Sequence, residues 1–157
     1  MSDCAICRQI ELIRQGTHPG FVAELEAGYV IAGEYQYFRG YALFLCRRCI
    51  PELHLLDREF KIKFLEELTY VSEAVDDGFH PHKINYELLG NQVPHIHWHL
   101  FPRHKNDPAP LLPIWNIETS VRESQSAKPS PEEFLEIKRT LLKELRQSGA
   151  TIRQSFE

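Results

Sequence analysis

Residues 95–100 read His-Ile-His-Trp-His-Leu. Polar and apolar residues alternate with a period of two. On a helix, neighbours two apart point in nearly opposite directions. On a strand they share a face, about 6 to 7 Å apart along the chain. The segment therefore predicts a strand from His95 to Phe101. Ile96, Trp98 and Leu100 turn to the core, and three imidazoles line the other face. A merely solvated strand face would more often use Thr, Lys or Glu. Near neutral pH, imidazole serves as nucleophile, hydrogen-bond donor or metal ligand. Three on one face can act together on one phosphate group. A three-histidine metal site is the rival reading. It fits less well, because alternate side chains on a strand run parallel whereas tetrahedral ligands converge.

The rest of the chain frames this strand. Ile6, Ile10 and Ile13 share a face of a helix over residues 3–15, which Gly16 stops. Phe21–Leu25 and Tyr29–Ala32 read as short strands joined by a tight turn. Tyr41–Cys46 is continuously apolar and so central. Leu55–Val75 reads as the longest helix, with Asp57 as its N-cap and Asp76, Asp77 and Gly78 at its end. Lys83–Leu89 reads as a strand, and Gly90-Asn91 as a turn. Residues 102–131 hold six prolines and predict an ordered arm anchored by Trp115. Ser130 caps a last helix, 131–147, with Pro131 in its first position and Gly149 past its end. This order suits an α+β domain with one antiparallel sheet of about five strands and helices packed on it.

Composition narrows the function classes. The 157 residues carry a net charge of −4, which argues against a broad basic surface for nucleic acid. No apolar run is long enough to span a membrane. The N-terminal stretch lacks a signal-peptide layout, so a cytoplasmic location is expected. Four cysteines in a reducing compartment point to free thiols or metal ligands. Cys4 and Cys7 form one C-x2-C pair, and Cys46 and Cys49 another. Spacing alone suggests a four-cysteine zinc site, with buried thiols as the alternative.

Residues 90–103, GNQVPHIHWHLFPR, resemble the signature of the histidine triad (HIT) superfamily: apolar–Pro–His–apolar–His–apolar–His–apolar–apolar–Pro–Arg. The likeness is strongest to bacterial diadenosine-tetraphosphate-hydrolase-like members. Phe21–Leu25 is similar to the first strand of the family. Residues 39–49, RGYALFLCRRC, resemble its Pro-Gly-His, four-apolar, Pro-Lys-Arg-His stretch. The resemblance covers roughly residues 4–116. It implies a HIT domain over 1–116, with the arm end and C-terminal helix, 117–157, packed on it.

The resemblance also implies roles. His97 is expected as the nucleophile of a nucleotide hydrolase or transferase, cleaving a dinucleoside polyphosphate or nucleoside phosphoramidate through a nucleotidyl-histidine. A nucleotide-binding or regulatory module with incidental turnover is the alternative. His99 would bond the phosphate or assist the leaving group. Asn91 and Asn85 fall at or near positions that contact phosphate or ribose. Phe21, Tyr29 and Ile31 would form an apolar base cleft. A structural zinc would be held by Cys4, Cys7, Cys49 and His95, with Cys46 facing away and His54 a further candidate ligand. Homodimers are the family's usual assembly. Two positions depart from the pattern: Gly33 replaces the residue that often holds the ribose, and Tyr41 replaces the usual His after the Gly. His80 and His82 flank a turn proline and are expected in solvent. His104 follows Pro102-Arg103 and could reach substrate phosphate, but a loop histidine near a site is more often incidental.

Overall fold

The computed structural model describes residues 4–157; Asp3, where the first helix was expected to begin, lies outside them. Six strands form one antiparallel sheet in the order β4-β5-β3-β2-β1-β6. They are β1 (Phe21–Glu24), β2 (Gly28–Ala32), β3 (Ala42–Cys46), β4 (Lys83–Glu87), β5 (His97–Arg103) and β6 (Gln154–Ser155). The apolar run of β3 sits between β2 and β5, with Phe44, Leu45 and Cys46 fully buried. The β1–β2 turn is tied to the helix layer. Buried Glu67 accepts hydrogen bonds from the backbone N–H groups of Glu26 and Ala27 at 2.9 Å each. Gly28 opens β2 because a Cβ there would lie 2.4 Å from the Phe44 ring.

Four helices pack around the sheet: α1 (Ala5–Arg14), α2 (Arg58–Phe79), the short α3 (Thr119–Arg122) and α4 (Pro131–Gln147). Asp57 caps α2, accepting from the Phe60 N–H at 2.9 Å. The expected stop at residues 76–78 is corrected. The helix runs through Gly78 to Phe79 and ends at His80, which is left-handed at φ 48°. Gly78 is a packing residue, since a Cβ there would meet Thr140 of α4 at 2.8 Å. The helix α4 begins with a reciprocal capping box between Ser130 and Glu133, with Pro131 in its first position.

The sixth strand was not expected. Gly149, at φ 90°, turns the chain after α4. Arg153 N–H then bonds the Glu24 carbonyl, and Phe156 N–H bonds that of Val22. Two paired residues are too few to leave a periodic signal.

The two faces of the sheet are covered differently. On one, α2 and α4 bury a single core that includes Phe44, Phe64, Val71, Leu100 and Leu141. Phe44 and Phe64 stack at 4.8 Å. On the other, α1 lays Ile6, Ile10 and Ile13 over Phe21, Tyr29, Ile31 and Leu45. Beyond β5 the arm docks through Ile114 against Phe38 and Phe101. Ile114 is fully buried and Trp115 is 50% exposed, so the anchor is Ile114 rather than the expected Trp115. Buried Arg103 organises the arm, donating to Asp107, Asn85 and the carbonyls of Ala109 and Leu112.

Candidate active site

Strand β5 pairs His97 with Leu45 and His99 with Leu43 on β3, and His99 with Glu87 on β4. His97 and His99 share a face, their ring centroids 4.9 Å apart. Ile96 and Leu100 fill the opposite core as expected; Trp98 is only partly buried. The ladder begins at His97 and not at His95. Just before it, Ile96 donates its N–H to the Ile50 carbonyl and accepts from the Cys46 N–H. That detour lets the His95 side chain turn toward the N-terminus.

Each histidine has a different set of partners, and these fix where its proton lies. His97 Nδ1 is 2.6 Å from the His95 carbonyl oxygen, so Nδ1 carries the proton and donates it. The Nε2 lone pair is left bare. His95 Nε2 is 2.8 Å from the Cys46 carbonyl, so Nε2–H donates and the Nδ1 lone pair faces the cysteines. His99 Nδ1 is 2.7 Å from the Tyr41 hydroxyl. Burial holds the His99 imidazole neutral, pushing its pKa down to about 4, with the nearby His97 and Arg122 acting the same way. Burial pushes the Tyr41 phenol well above its ordinary value, so it keeps its proton.

Cys4, Cys7, Cys49 and His95 bring one donor atom each to within 4.8 Å of one another. His95 Nδ1 lies 3.4 Å from Cys4 Sγ and 3.6 Å from Cys7 Sγ. Zinc bonds of about 2.3 Å to sulfur and about 2.0–2.1 Å to nitrogen place tetrahedral S···N pairs about 3.5 Å apart. The cluster is thus compatible with zinc in chemistry and spacing. Cys46 is fully buried outside it and contributes its carbonyl, which orients His95. His54 is exposed and outside the cluster.

The remaining expected residues are distributed less simply. Asn91 lies exposed in the turn before His95, with no hydrogen bond among the described residues. Asn85 shares the triad face but binds Arg103 at 2.9 Å through its side-chain oxygen. The expected base cleft is corrected. Phe21, Tyr29 and Ile31 are at most 6% exposed, because α1 lies on them. His80 and His82 are exposed as expected. His104 gives its backbone N–H to Asp107.

Two residues beside His99 escaped sequence reasoning as site members. Tyr41 stacks on Phe101 at 4.2 Å and bonds His99. Glu87 is half-buried with one oxygen unpartnered, and burial raises its pKa. The two family departures are linked: a Cβ at Gly33 would lie 2.2 Å from the Tyr41 ring. Gly33 makes the room that Tyr41 fills. The signal was present in the sequence as two oddities, but only the fold brings them together.

Comparison with known proteins accords with this geometry. Residues 29–106 match the HIT domain model. A histidine triad protein from Marinobacter aquaeolei VT8 is 26% identical, with a TM-score of 0.70 over 81% of this chain and 88% of that one. A Zn-bound histidine triad family protein from Mycobacterium smegmatis is 20% identical, with a TM-score of 0.62 over 92% and 94%. A hypothetical histidine triad nucleotide-binding protein from Sulfolobus tokodaii is 15% identical, with a TM-score of 0.68 over 90% and 93%. No curated protein matches in sequence. The fold and the triad strand define a HIT-type α+β protein. The chain belongs to the histidine triad superfamily. Among the described residues no helix is long and apolar enough to cross a membrane.

Proposed function

We propose that this protein is a nucleotide hydrolase or nucleotidyl transferase that works through a covalent nucleotidyl-His97. The observation that carries the reading is the 2.6 Å contact from His97 Nδ1 to its own strand's carbonyl. In the neutral ring it fixes the tautomer and turns the Nε2 lone pair to attack on phosphorus. Nε2 attacks the α-phosphorus, and the P–O or P–N bond to the leaving group breaks with its electron pair. Water then attacks the same phosphorus and gives up one proton to solvent, the P–N bond to His97 breaks, and that pair returns to Nε2. His99 and the exposed Asn91 amide donate hydrogen bonds to the phosphoryl oxygens as charge builds. The catalytic unit is residues 1–116, with 117–157 as its packed extension.

Zinc is held in this reading by Cys4, Cys7, Cys49 and His95, and its contribution is structural, fastening α1 to the start of β5. The similar protein from Mycobacterium smegmatis is itself zinc-bound, which supports the assignment. Homodimer formation accords with β4 being an edge strand, with Tyr86 on it and Leu88 and Leu89 just past its end exposed.

Incubation with nucleoside polyphosphates and phosphoramidates in ¹⁸O-labelled water tests the reading. Nucleoside monophosphate carrying one solvent oxygen is the expected product, lost in His97→Gly. Tight nucleotide binding with no turnover of any compound would favour the alternative, a binding or regulatory module.

A further inference from the structure

The position of Tyr41 narrows what His99 can do. The Tyr41 hydroxyl has one hydrogen-bond partner among the described residues, His99 Nδ1. If Nδ1 carried the proton, the half-buried phenolic O–H would have no acceptor among the described residues, a costly arrangement. The phenol therefore donates to Nδ1, and the only proton on His99 sits on Nε2. Burial, His97 and Arg122 all favour a neutral ring. His97 lies on the same strand, Phe101 and Tyr41 lie parallel to the ring, and Arg122 of α3 adds a positive charge in the vicinity. Glu87, opposite on β4, and Glu123, just past α3, are acidic groups near the Tyr41–His99 pair, and burial favours the protonated form of Glu87.

We propose that Tyr41 is a positioning residue that locks His99 as a neutral Nε2–H donor, so that the site takes phosphoanhydrides in preference to phosphoramidates. The inference rests on His97 being the nucleophile. In a phosphoanhydride, the P–O bond breaks and the bridging oxygen keeps the electron pair. The leaving phosphate chain departs as an anion, and no proton is required. In a phosphoramidate, the P–N bond breaks and the amine must gain a proton as it leaves. His99 can deliver that proton only if Tyr41 passes its own to Nδ1. The result is a half-buried tyrosinate packed against Phe101, Phe38 and Ile114, where desolvation already holds the phenol protonated. A hydrogen bond from Nε2–H to a phosphoryl oxygen needs no such transfer.

Gly33 belongs to the same device. It leaves the space that the Tyr41 ring occupies, and any side chain there would push the ring off His99.

Nitrogen-15 correlation spectra of the imidazoles at pH 7 test the lock without reference to activity. His99 should show a protonated Nε2 and an unprotonated, hydrogen-bonded Nδ1, unchanged down to about pH 5. In Tyr41→Phe, which keeps the ring stack, the signal should move to a mixture of tautomers. An Nδ1–H or doubly protonated His99 in the wild-type protein at pH 7 would overturn the lock. Diadenosine tetraphosphate and adenosine 5′-phosphoramidate, which share the adenylyl group, test the consequence. The expected ratio of kcat/KM is at least about tenfold in favour of the tetraphosphate. Tyr41→Phe should lower kcat for the tetraphosphate about three- to tenfold, with KM little changed, as for one lost oriented hydrogen bond. Equal or reversed preference, with the lock seen in the spectra, would overturn the substrate claim. Failure to cleave either compound would count against both the nucleophile reading and the substrate claim, while the spectra still decide the lock.

Discussion

The two faces of the sheet solve different problems. The face under α2 and α4 is one unbroken apolar core, closed by the Phe44–Phe64 stack. The other face is split. One apolar cluster lies under α1, a second lies under the arm at Ile114, and His97 and His99 occupy the strip between them. A continuous core gives stability. An interrupted one gives up apolar packing to hold polar groups at the gap, with His97 still only 8% exposed. The same strand serves both, because β5 sends Leu100 one way and His99 the other.

Substitutions on the two faces should therefore separate activity from stability. The largest effect is expected at His97. His97→Gly should lower turnover by about 10⁴-fold or more, the scale of losing a group central to a covalent mechanism. Its urea midpoint should fall by less than that of a large core truncation, which denaturation followed by circular dichroism would check. On the opposite face, Phe64→Ala should cost about 3–5 kcal/mol by urea denaturation. The kcat of the fraction that remains folded should be near that of the wild type. A Phe64→Ala protein that is stable but inactive would break the division between the faces.

The α1 end of the site should lie between these extremes. Cys7→Ser is expected to remove bound zinc, measured by metal analysis of protein purified without added metal. It should loosen α1 with a smaller stability loss than Phe64→Ala, since α1 buries only Ile6, Ile10 and Ile13. Native thiols that all titrate freely, with no metal bound, would sink the zinc reading.

The smallest effects are protonic. Burial raises the Glu67 pKa above its ordinary value. The folded state thus holds that proton more tightly than the unfolded chain. Stability from this group is complete below the ordinary carboxylate range and is lost as pH rises through the raised value. Glu67→Gln should flatten that slope and cost about 1 kcal/mol from the disturbed Glu26–Ala27 turn. His99 works in the opposite direction. It stays neutral in the fold to about pH 4, whereas it titrates near 6.5 when unfolded, so stability falls as pH drops through that window. His99→Gln should remove that part of the acid sensitivity, read from urea midpoints at pH 4.5 and 7.

What was legible in the sequence was what is local. The period of residues 95–101 marked the strand and its two faces. Ser130, Pro131 and Glu133 marked the start of α4. The set of Cys4, Cys7, Cys49 and His95 was not legible from spacing, which favoured four cysteines; the resemblance to the family suggested it, and the structure brings those four side chains together. What was not legible depends on distant partners. Gly78 resembles a helix stop until Thr140 is seen against it. Phe21, Tyr29 and Ile31 resemble an open cleft until α1 covers them. Tyr41 and Gly33 looked like two separate departures, yet they are one packing arrangement around His99.

The central claim is a bond between His97 and phosphorus. Diadenosine tetraphosphate, mixed with the protein and quenched within one turnover, gives the most direct measurement by intact mass and peptide mapping. One adenylyl group per chain is expected, located on His97 and absent from His97→Gly. Full turnover by the wild-type protein with no adduct at any quench time, and undiminished turnover by His97→Gly, would contradict it.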